Sequence, residues 1–230
     1  GLAAARRTAE AAATRLRAAF PGWAVTAQVE ADAPAWGIVK LADRWRPDLI
    51  VVGAHEQSAL ERLLLGSTSL AVLTHASASV RIARPPATAA DGPARLLVGI
   101  DGSAGADAAV AAVAARHWAP PAEVRVVAAL DPTLTASLEQ FATTDAAAAS
   151  QALVDRAAAV LRAAGLTVST AVVDGAAKQV LLDEAQHWRA DGIFVGARGL
   201  RATERFLLGS VSSTVAARAE CSVEVVRAAG

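Results

Sequence analysis

Two stretches of the sequence carry glycines at a spacing that suits the binding of phosphate groups. GARGLRATERFLLGS, residues 196–210, contains Gly196, Gly199 and Gly209, with Ser210 after the last glycine. Glycine lets a backbone approach a phosphate closely, and a helix that begins after the last glycine would present unpaired N–H groups to an anion. The sequence has no GxxxxGK[ST] phosphate-binding loop. We therefore expect a phosphate-binding loop of another kind in residues 196–212.

The earlier stretch GAHEQSALERLLLGS, residues 53–67, repeats this pattern with one change. Glu56 stands where the later copy has Gly199. A carboxylate at that position would repel a phosphate, by about 1 kcal/mol at 4 Å in water and several times more near a low-dielectric surface. We therefore expect phosphate binding in the later copy and not in the earlier one.

The two stretches belong to a longer repeat, in which residue 196 repeats residue 53 at an offset of 143 residues. At the same offset, DLIVVGA (48–54) matches DGIFVGA (191–197), ERLLLGSTS matches ERFLLGSVS, and SVRIAR (79–84) matches SVEVVR (222–227). A repeat this long indicates a duplicated domain, since solenoid repeats have periods of about 20–50 residues. ARPPATAADGPAR, between the copies, has the composition of a linker. We therefore predict a first domain in residues 1–84, a linker in residues 85–94 and a second domain in residues 95–230.

Strands and helices alternate along the second copy. Its first predicted strand ends before Asp101, and Ser103 is the predicted N-cap of a helix that runs to about Trp118. Alternating strands and helices indicate βαβ units and a mostly parallel sheet. The predicted strands are residues 95–100, 123–130, 167–173, 192–196 and 222–227, and the later predicted helices are residues 145–164, 178–189 and 209–220, with an irregular connection in 133–144.

This order of elements would bring the candidate residues to one edge of the sheet. Asp101 follows the first strand and Gly196 ends the fourth. Ligands of open α/β sheets bind at the carboxyl ends of the strands. There, a carboxylate can accept hydrogen bonds from a ribose, with a cap of its own turn as the alternative role of Asp101. The hydroxyl of Ser210 can donate a hydrogen bond to a phosphate oxygen. Arg198 is a further candidate for steering phosphates, with a solvated surface arginine as the alternative.

The spacing G-x2-G-x9-G-[ST] after a strand, with Asp-Gly-Ser after the first strand, resembles the universal stress protein family. The chain is similar to a tandem pair of such domains. The resemblance implies an α/β fold of the adenine nucleotide alpha hydrolase-like type, present twice, with a five-stranded parallel sheet of order 3-2-1-4-5 and helices on both faces. It also implies ATP, either alone or with Mg²⁺, as the ligand of members with the full motif. The residues implied to bind the nucleoside are Asp101 and the backbone of Ala129, and those implied to bind the phosphates are Gly196, Gly199, Gly209 and Ser210, with Val211 and Ser212 adjacent.

The first copy is incomplete in this sequence. Gly1 matches Thr144, so the copy begins within its second helix and lacks two strands and a helix. We expect a sequence shortened at its start, with a half-domain completed by a partner chain as the alternative. The fifth strands of the family often pair across a two-fold interface. The resemblance therefore implies that SVRIAR and SVEVVR pair within the chain as an internal pseudo-dimer, with a homodimer as the alternative.

Composition narrows the classes of function. Equal numbers of acidic and basic residues, 22 of each, argue against nucleic acid as the main partner. Cys221 is alone, which excludes an internal disulfide and suits the cytoplasm. No apolar run reaches the roughly 18 residues that a membrane helix needs. The four histidines lack a metal-binding spacing, so no metal site is expected.

We therefore expect a cytoplasmic, ATP-binding protein of stress response or regulation. The second domain would hold the nucleotide, and the first, degenerate domain would serve pairing. No general base accompanies the glycine motif, so we expect no catalysis beyond slow ATP hydrolysis. The alternatives are a nucleotide-free dimerisation or interaction module, and an enzyme of a related α/β nucleotide-binding group such as an adenylating ligase.

Overall fold

The structure is a computed structural model that describes residues 1–54, 65–85, 92–131, 146–199 and 208–228. The predicted connection in residues 133–144 lies outside these ranges. The described residues form seven helices and seven strands. The helices are α1 (Leu2–Ala19), α2 (Pro34–Trp45), α3 (Ser67–His75), α4 (Ala104–Ala114), α5 (Ala146–Ala163), α6 (Ala177–Trp188) and α7 (Ser210–Arg218). The strands are β1 (Leu49–Gly53), β2 (Ser79–Ala83), β3 (Ala94–Ile100), β4 (Ala122–Leu130), β5 (Thr167–Asp174), β6 (Gly192–Gly196) and β7 (Ser222–Val226).

The described strands form one sheet with the order β1-β2-β7-β6-β3-β4-β5. Every neighbouring pair is parallel except β2 and β7, which run antiparallel. The last five strands of this order, β7-β6-β3-β4-β5, are the strands of the second copy. Numbered within that copy and listed from its other edge, they have the expected order 3-2-1-4-5, and the α/β class is confirmed. The duplicated α/β fold is confirmed as a class, while the number and order of strands differ, since the seven described strands form one sheet. Because β2 pairs with β7, the two strands of the first copy extend the sheet of the second.

In the second copy, helices cover both faces of the sheet. Successive residues of a strand point to opposite faces, so neighbouring residues of one strand pack against different helices. Leu96 and Val98 of β3 belong to a buried cluster with residues of α4 and α5. Leu97 lies between them in sequence and belongs to a second cluster, which includes residues of α6 and α7. The second cluster continues into the first copy, where it includes residues of α2, α3 and β2. One apolar layer therefore joins the two copies on one face of the sheet.

Helix α4 ends earlier than the sequence indicated, at Ala114 rather than at about Trp118. The chain turns so that the indole of Trp118 can donate a hydrogen bond to the carbonyl of Val113, at 2.9 Å. The same indole packs edge-on against Phe194, with ring centroids 5.9 Å apart. Because both contacts need the chain to leave the helix, tertiary packing sets the end of α4.

Residues 24–31 of the first copy match β5 at the 143-residue offset, yet they form no strand. β5 itself is held by an eight-residue ladder to β4. Residues 24–31 have no corresponding neighbour among the described strands, and an unpaired strand is not stable in water. Within the described residues, the first copy therefore contributes β1 and β2 to the sheet.

Candidate functional site

The candidate site lies at the carboxyl ends of β3 and β6, which are adjacent strands. Gly196 ends β6 against the first turn of α4. A Cβ added to Gly196 would lie 2.8 Å from both the backbone nitrogen of Ala106 and the Cα of Gly105. A Cβ added to Gly105 would lie 2.5 Å from the carbonyl oxygen of Arg198. The strand end and the helix start therefore approach this closely only because both positions are glycine.

Gly199 lies directly against the carboxylate of Asp101. A Cβ at Gly199 would overlap the Oδ2 atom of Asp101. The other carboxylate oxygen, Oδ1, accepts a hydrogen bond from the backbone nitrogen of Ser103 at 3.0 Å. Asp101 and Gly199 are both exposed. The structure thus brings together two predicted site residues that are almost a hundred residues apart in sequence.

Ser103 connects the end of β6 and the residues directly after it, residues 196–199 (the glycine loop), to α4. Its hydroxyl accepts a hydrogen bond from the backbone nitrogen of Ala106 at 3.2 Å, which confirms the predicted N-cap. The same hydroxyl donates to the carbonyl of Arg198 at 3.2 Å. The link to Arg198 and the close approach at Gly105 were not predicted. The one available signal was a glycine in the first turn of an otherwise alanine-rich helix.

The last predicted site residues form the start of α7. Gly209 is the N-cap, and its backbone nitrogen donates to the carbonyl of Ala197 at 2.8 Å. The hydroxyl of Ser212 is buried, at 3.1 Å from the carbonyl oxygen of Ala197 and 3.0 Å from that of Gly209. It therefore ties the first turn of α7 to the residue that follows β6. Ser210 is exposed and Val211 is half-buried, both in the first turn of α7.

The start of α7 is electrostatically suited to an anion. The N-cap makes no side-chain hydrogen bond, and the first turn contains no acidic residue. The N–H groups and the positive end of the helix dipole are therefore not neutralised by a capping carboxylate. Burial, and secondarily the positive charge of Arg198, lower the pKa of the Arg227 guanidinium below its usual range. Two arginine side chains thus lie near each other after β6 and β7.

Ala129 lies at the same edge of the sheet, on the next strand. It is the penultimate residue of β4, is half-buried, and pairs with Val173 of β5. The carboxyl ends of β3, β4 and β6 therefore carry Asp101, Ala129 and the glycine loop respectively. This arrangement can present a carboxylate, a strand backbone and a set of helix-start N–H groups to one ligand.

In the first copy, α3 begins in the same way as α7 does in the second copy. Gly66 is the N-cap of α3, with φ −59° and ψ 148°, close to the values of −66° and 151° at Gly209. Ser69 is buried and donates to the carbonyl of Gly53 at 2.8 Å, as Ser212 does to Ala197. Glu56 lies outside the described residues. The copy retains the helix start, but this sequence contains no counterpart of Asp101.

A cavity of about 390 Å³ lies at the opposite ends of the strands, between α6 and α7, and Cys221 lines it. Burial raises the pKa of the Cys221 thiol to about 11. A thiol this weakly acidic is a packing group and not a nucleophile. Among the residues that the structure describes, no three His, Cys, Asp or Glu side chains are grouped to hold a metal ion. The described helices include none with the length and apolar character needed to cross a membrane.

Comparison with known proteins gives one family and one fold. A model of the universal stress protein family matches residues 2–84 and 94–227. A universal stress protein from Archaeoglobus fulgidus is similar in structure, with a TM-score of 0.67 and 22% identity, over 97% of this chain and 76% of that one. A functionally unknown protein from Pseudomonas aeruginosa has a TM-score of 0.64 and 17% identity, over 96% and 77%. A universal stress protein solved in complex with cAMP is 26% identical, with a TM-score of 0.45, over 60% and 100%.

Proposed function

The chain belongs to the universal stress protein family, and we propose that its second half binds ATP at the carboxyl ends of β3, β4 and β6. The observation that carries this proposal is the contact of Gly199 with Asp101. It joins the glycine loop, which suits phosphates, to a carboxylate, which suits a ribose. In this proposal the protein is a nucleotide-binding member of a stress-response family, acts in the cytoplasm, and hydrolyses ATP slowly at most.

Each site residue has a physical role in the proposed complex. Asp101 accepts hydrogen bonds from ribose hydroxyls, and the backbone of Ala129 contacts the base or sugar.

The phosphates lie against the glycine loop in this proposal. Gly196 and Gly199 let the loop approach the phosphates, with Arg198 adding positive charge. Gly209, Ser210 and Val211 supply N–H groups at the start of α7, and the hydroxyl of Ser210 adds a donor. Ser212 and Ser103 hold this loop in place through their carbonyl contacts.

We further propose that the first half serves as an intramolecular pairing domain. The antiparallel ladder between β2 and β7 supports this role, as does the apolar layer shared by the two copies. Glu56 supports the assignment of nucleotide binding to the second half alone, because its carboxylate would repel phosphate in the first copy. The domain boundaries proposed are residues 1–84 and 95–230, joined by residues 85–94. A homodimer remains the alternative arrangement.

Isothermal calorimetry with ATP, with and without Mg²⁺, tests the nucleotide proposal. We expect about one ATP per chain, and loss of binding in Gly199→Glu, which introduces the first copy's residue. Glu56→Gly is the matched control in the first half. It is expected to leave one site, since this sequence has no counterpart of Asp101 for the first copy. Absence of ATP binding by the unsubstituted chain would contradict the proposal.

The second candidate function is a nucleotide-free interaction module, favoured by the ladder that joins the two halves. In that case ATP would not bind, and the pairing of the halves would be the whole function. The two candidates differ in a direct way, since only the first predicts heat of ATP binding that depends on position 199. Release of pyrophosphate from ATP would instead favour an adenylating enzyme.

A further inference from the structure

The interface between the two halves is built around a pseudo-two-fold axis. Ser79 and Ser222 occupy equivalent positions in the repeat, as do Arg84 and Arg227. The backbone nitrogen of Arg84 donates to the hydroxyl of Ser222 at 3.0 Å, and that of Arg227 donates to the hydroxyl of Ser79 at 3.1 Å. Each half therefore makes the same contact to the other.

The arginine side chains follow the same symmetry. The guanidinium of Arg84 donates to the carbonyl of Ala216 at 2.7 Å, near the end of α7. The guanidinium of Arg227 donates to the carbonyl of Leu73 at 2.8 Å, near the end of α3. Leu73 and Ala216 are again equivalent positions of the repeat. These contacts would form equally well between two identical halves, so they do not select a partner.

The residue on the axis breaks the symmetry. Arg81 of β2 lies directly opposite Glu224 of β7, and these are equivalent positions, 143 residues apart. The Nε of Arg81 donates to a carboxylate oxygen of Glu224 at 3.1 Å. The flanking pairs, Val80 with Val225 and Ile82 with Val223, are apolar on both sides. Of these three cross-strand pairs, the Arg81–Glu224 pair is the one whose two residues carry opposite charges.

The carboxylate of the axis pair is held away from water, and its arginine partners are partly exposed. The Glu224 side chain is 1% exposed, and the Arg81 side chain is 28% exposed. Arg116, which follows α4, donates to both carboxylate oxygens of Glu224 at 2.7 and 2.5 Å. Both guanidinium groups also lie over the ring of Phe194, 5.4 and 5.7 Å from its centroid. Without Arg81, the buried carboxylate of Glu224 would keep Arg116 and lose one of its two positively charged partners, which is unfavourable for a charge held away from water.

Pairing between identical halves would lose this complementarity. Two second halves joined through β7 would place Glu224 opposite Glu224, and two first halves joined through β2 would place Arg81 opposite Arg81. Like charges directly opposite each other in a sheet are destabilising. Arg116 belongs to the second half, so it would accompany Glu224 in either arrangement and would not replace Arg81. Only unlike halves bring opposite charges together on the axis.

We propose that the Arg81–Glu224 pair makes the interface selective for unlike halves, so that β7 accepts β2 and rejects a second copy of β7. The inference rests on the proposed pairing role of the first half, and it is independent of nucleotide binding. The partner that fits this edge of the second half is a strand with a basic residue at the axis position, flanked by apolar residues. Repulsion between like charges is the device that excludes the other pairings.

Two full-length variants with opposite reversals test the selectivity. In Arg81→Glu both axis positions are acidic, and in Glu224→Arg both are basic, so each chain opposes like charges within itself. Mixed, they can restore both Arg–Glu pairs by exchanging strands between two chains. We expect native mass spectrometry of the equimolar mixture to detect a one-to-one dimer at least about tenfold more abundant than the dimers of either variant alone. The control is a mixture of Arg81→Gln with Glu224→Gln, which should show no such preference.

Hydrogen exchange separates failure of the selectivity from failure of the pairing. Backbone amides of residues 79–83 and 222–226 are expected to be protected in the unsubstituted chain and to exchange at least about tenfold faster in Arg81→Glu than in Arg81→Gln. Unprotected strands in the unsubstituted chain would overturn the pairing role itself. Protected strands together with no excess of the mixed dimer would overturn the selectivity alone. Should Arg81→Glu not fold by itself, the two variants are refolded together from urea, and failure to recover the mixed dimer overturns the proposal.

Discussion

At the scale of single residues, the candidate site depends on where side chains are absent. Gly196, Gly199 and Gly105 each lie so close to another part of the chain that a Cβ would collide with it. These contacts let a strand end, a loop and a helix start share one small region. The carboxylate of Asp101 is the charged group at its centre, and its contribution can be measured separately from that of the glycines.

Asp101→Asn is expected to weaken ATP binding by about tenfold. The change removes the charge but keeps an oxygen that can accept the hydrogen bond from the Ser103 backbone. The loss corresponds to about 1.4 kcal/mol, within the range for a hydrogen bond to a charged group. Calorimetry measures the change, with Asp107→Asn as the control, since the Asp107 carboxylate is exposed and pairs with Arg156 on the surface. Equal affinity in the two variants would contradict the proposed ribose contact.

Cys221 is expected to make stability fall in alkaline solution. Burial raises the pKa of its thiol from 9.0 to about 11, so the folded chain retains a proton that the unfolded chain loses. The free energy of unfolding is therefore unaffected by this group below about pH 9, and falls as the pH rises from there to 11. Between pH 9 and pH 10 the loss is about 1 kcal/mol. Urea unfolding of the unsubstituted chain and of Cys221→Ala measures it, and the sequence contains no tyrosine to titrate in the same range.

At the residue scale, local chemistry was predictable and long-range contacts were not. Ser103 could be identified as an N-cap because a capping residue and its helix are neighbours in sequence. Its second contact, to the carbonyl of Arg198, depends on how β3 and β6 are placed side by side. No spacing along the chain contains that information. The roles of Asp101 and the glycines in ligand binding remain predictions.

At the scale of elements, two arginines link the halves by capping helices that are not their own. Arg84 follows β2 and caps the end of α7, and Arg227 follows β7 and caps the end of α3. A helix leaves its last carbonyl groups without partners, and these two helices receive a donor from the opposite half. The last helix of each half is therefore completed only when the halves are paired.

Substitution of either arginine by glutamine is expected to lower the free energy of unfolding by about 1–3 kcal/mol, because a buried carbonyl loses its donor. Arg84→Gln and Arg227→Gln should have similar effects, since the two contacts are equivalent in the repeat. Arg162→Gln is the control, because Arg162 also donates to a backbone carbonyl, that of Val168, but in an exposed position. Urea unfolding compares the three variants. An effect of Arg84→Gln no larger than that of the control would show that the cap does not stabilise the pair.

The sequence predicted the elements of the second copy better than their ends and their partners. Apolar runs identified all five of its strands, because buried parallel strands are nearly continuous in hydrophobicity. The end of α4 was misplaced by about four residues, since the turn of Trp118 towards Phe194 is a tertiary effect. The register of β2 on β7 was not predicted. It is accompanied by long-range contacts, the hydrogen bonds of Arg84 with Ser222 and of Arg227 with Ser79, which no spacing along the chain indicates.

At the scale of the whole molecule, the continuous sheet couples the two copies. β1 and β2 reach the rest of the sheet through their ladder with β7, and the apolar layer beneath them includes residues of both halves. We expect the halves to unfold in one transition. Neither half would keep its edge strand paired if the other unfolded.

The tryptophans allow this coupling to be measured half by half. Trp23, Trp36 and Trp45 report on the first copy, and Trp118 and Trp188 on the second. One variant keeps the three tryptophans of the first copy, and the other keeps the two tryptophans of the second copy. Phenylalanine replaces the remaining tryptophans in each variant. The urea midpoints from fluorescence are expected to coincide, because a cooperative unit unfolds with the same transition for every probe. Two separated midpoints would mean that the halves unfold independently, and circular dichroism of each variant controls for changes in overall stability.

The antiparallel ladder between β2 and β7 has a consequence for how the paired state responds to the amount of protein in a cell. Two separate chains associate by mass action, so their dimers dissociate when the protein is scarce. Here the partner strands are connected by the polypeptide, and a short tether corresponds to a local concentration in the millimolar range. Dilution does not change that value. The fraction of molecules with paired halves should thus be the same when the gene is barely expressed as when its product is abundant.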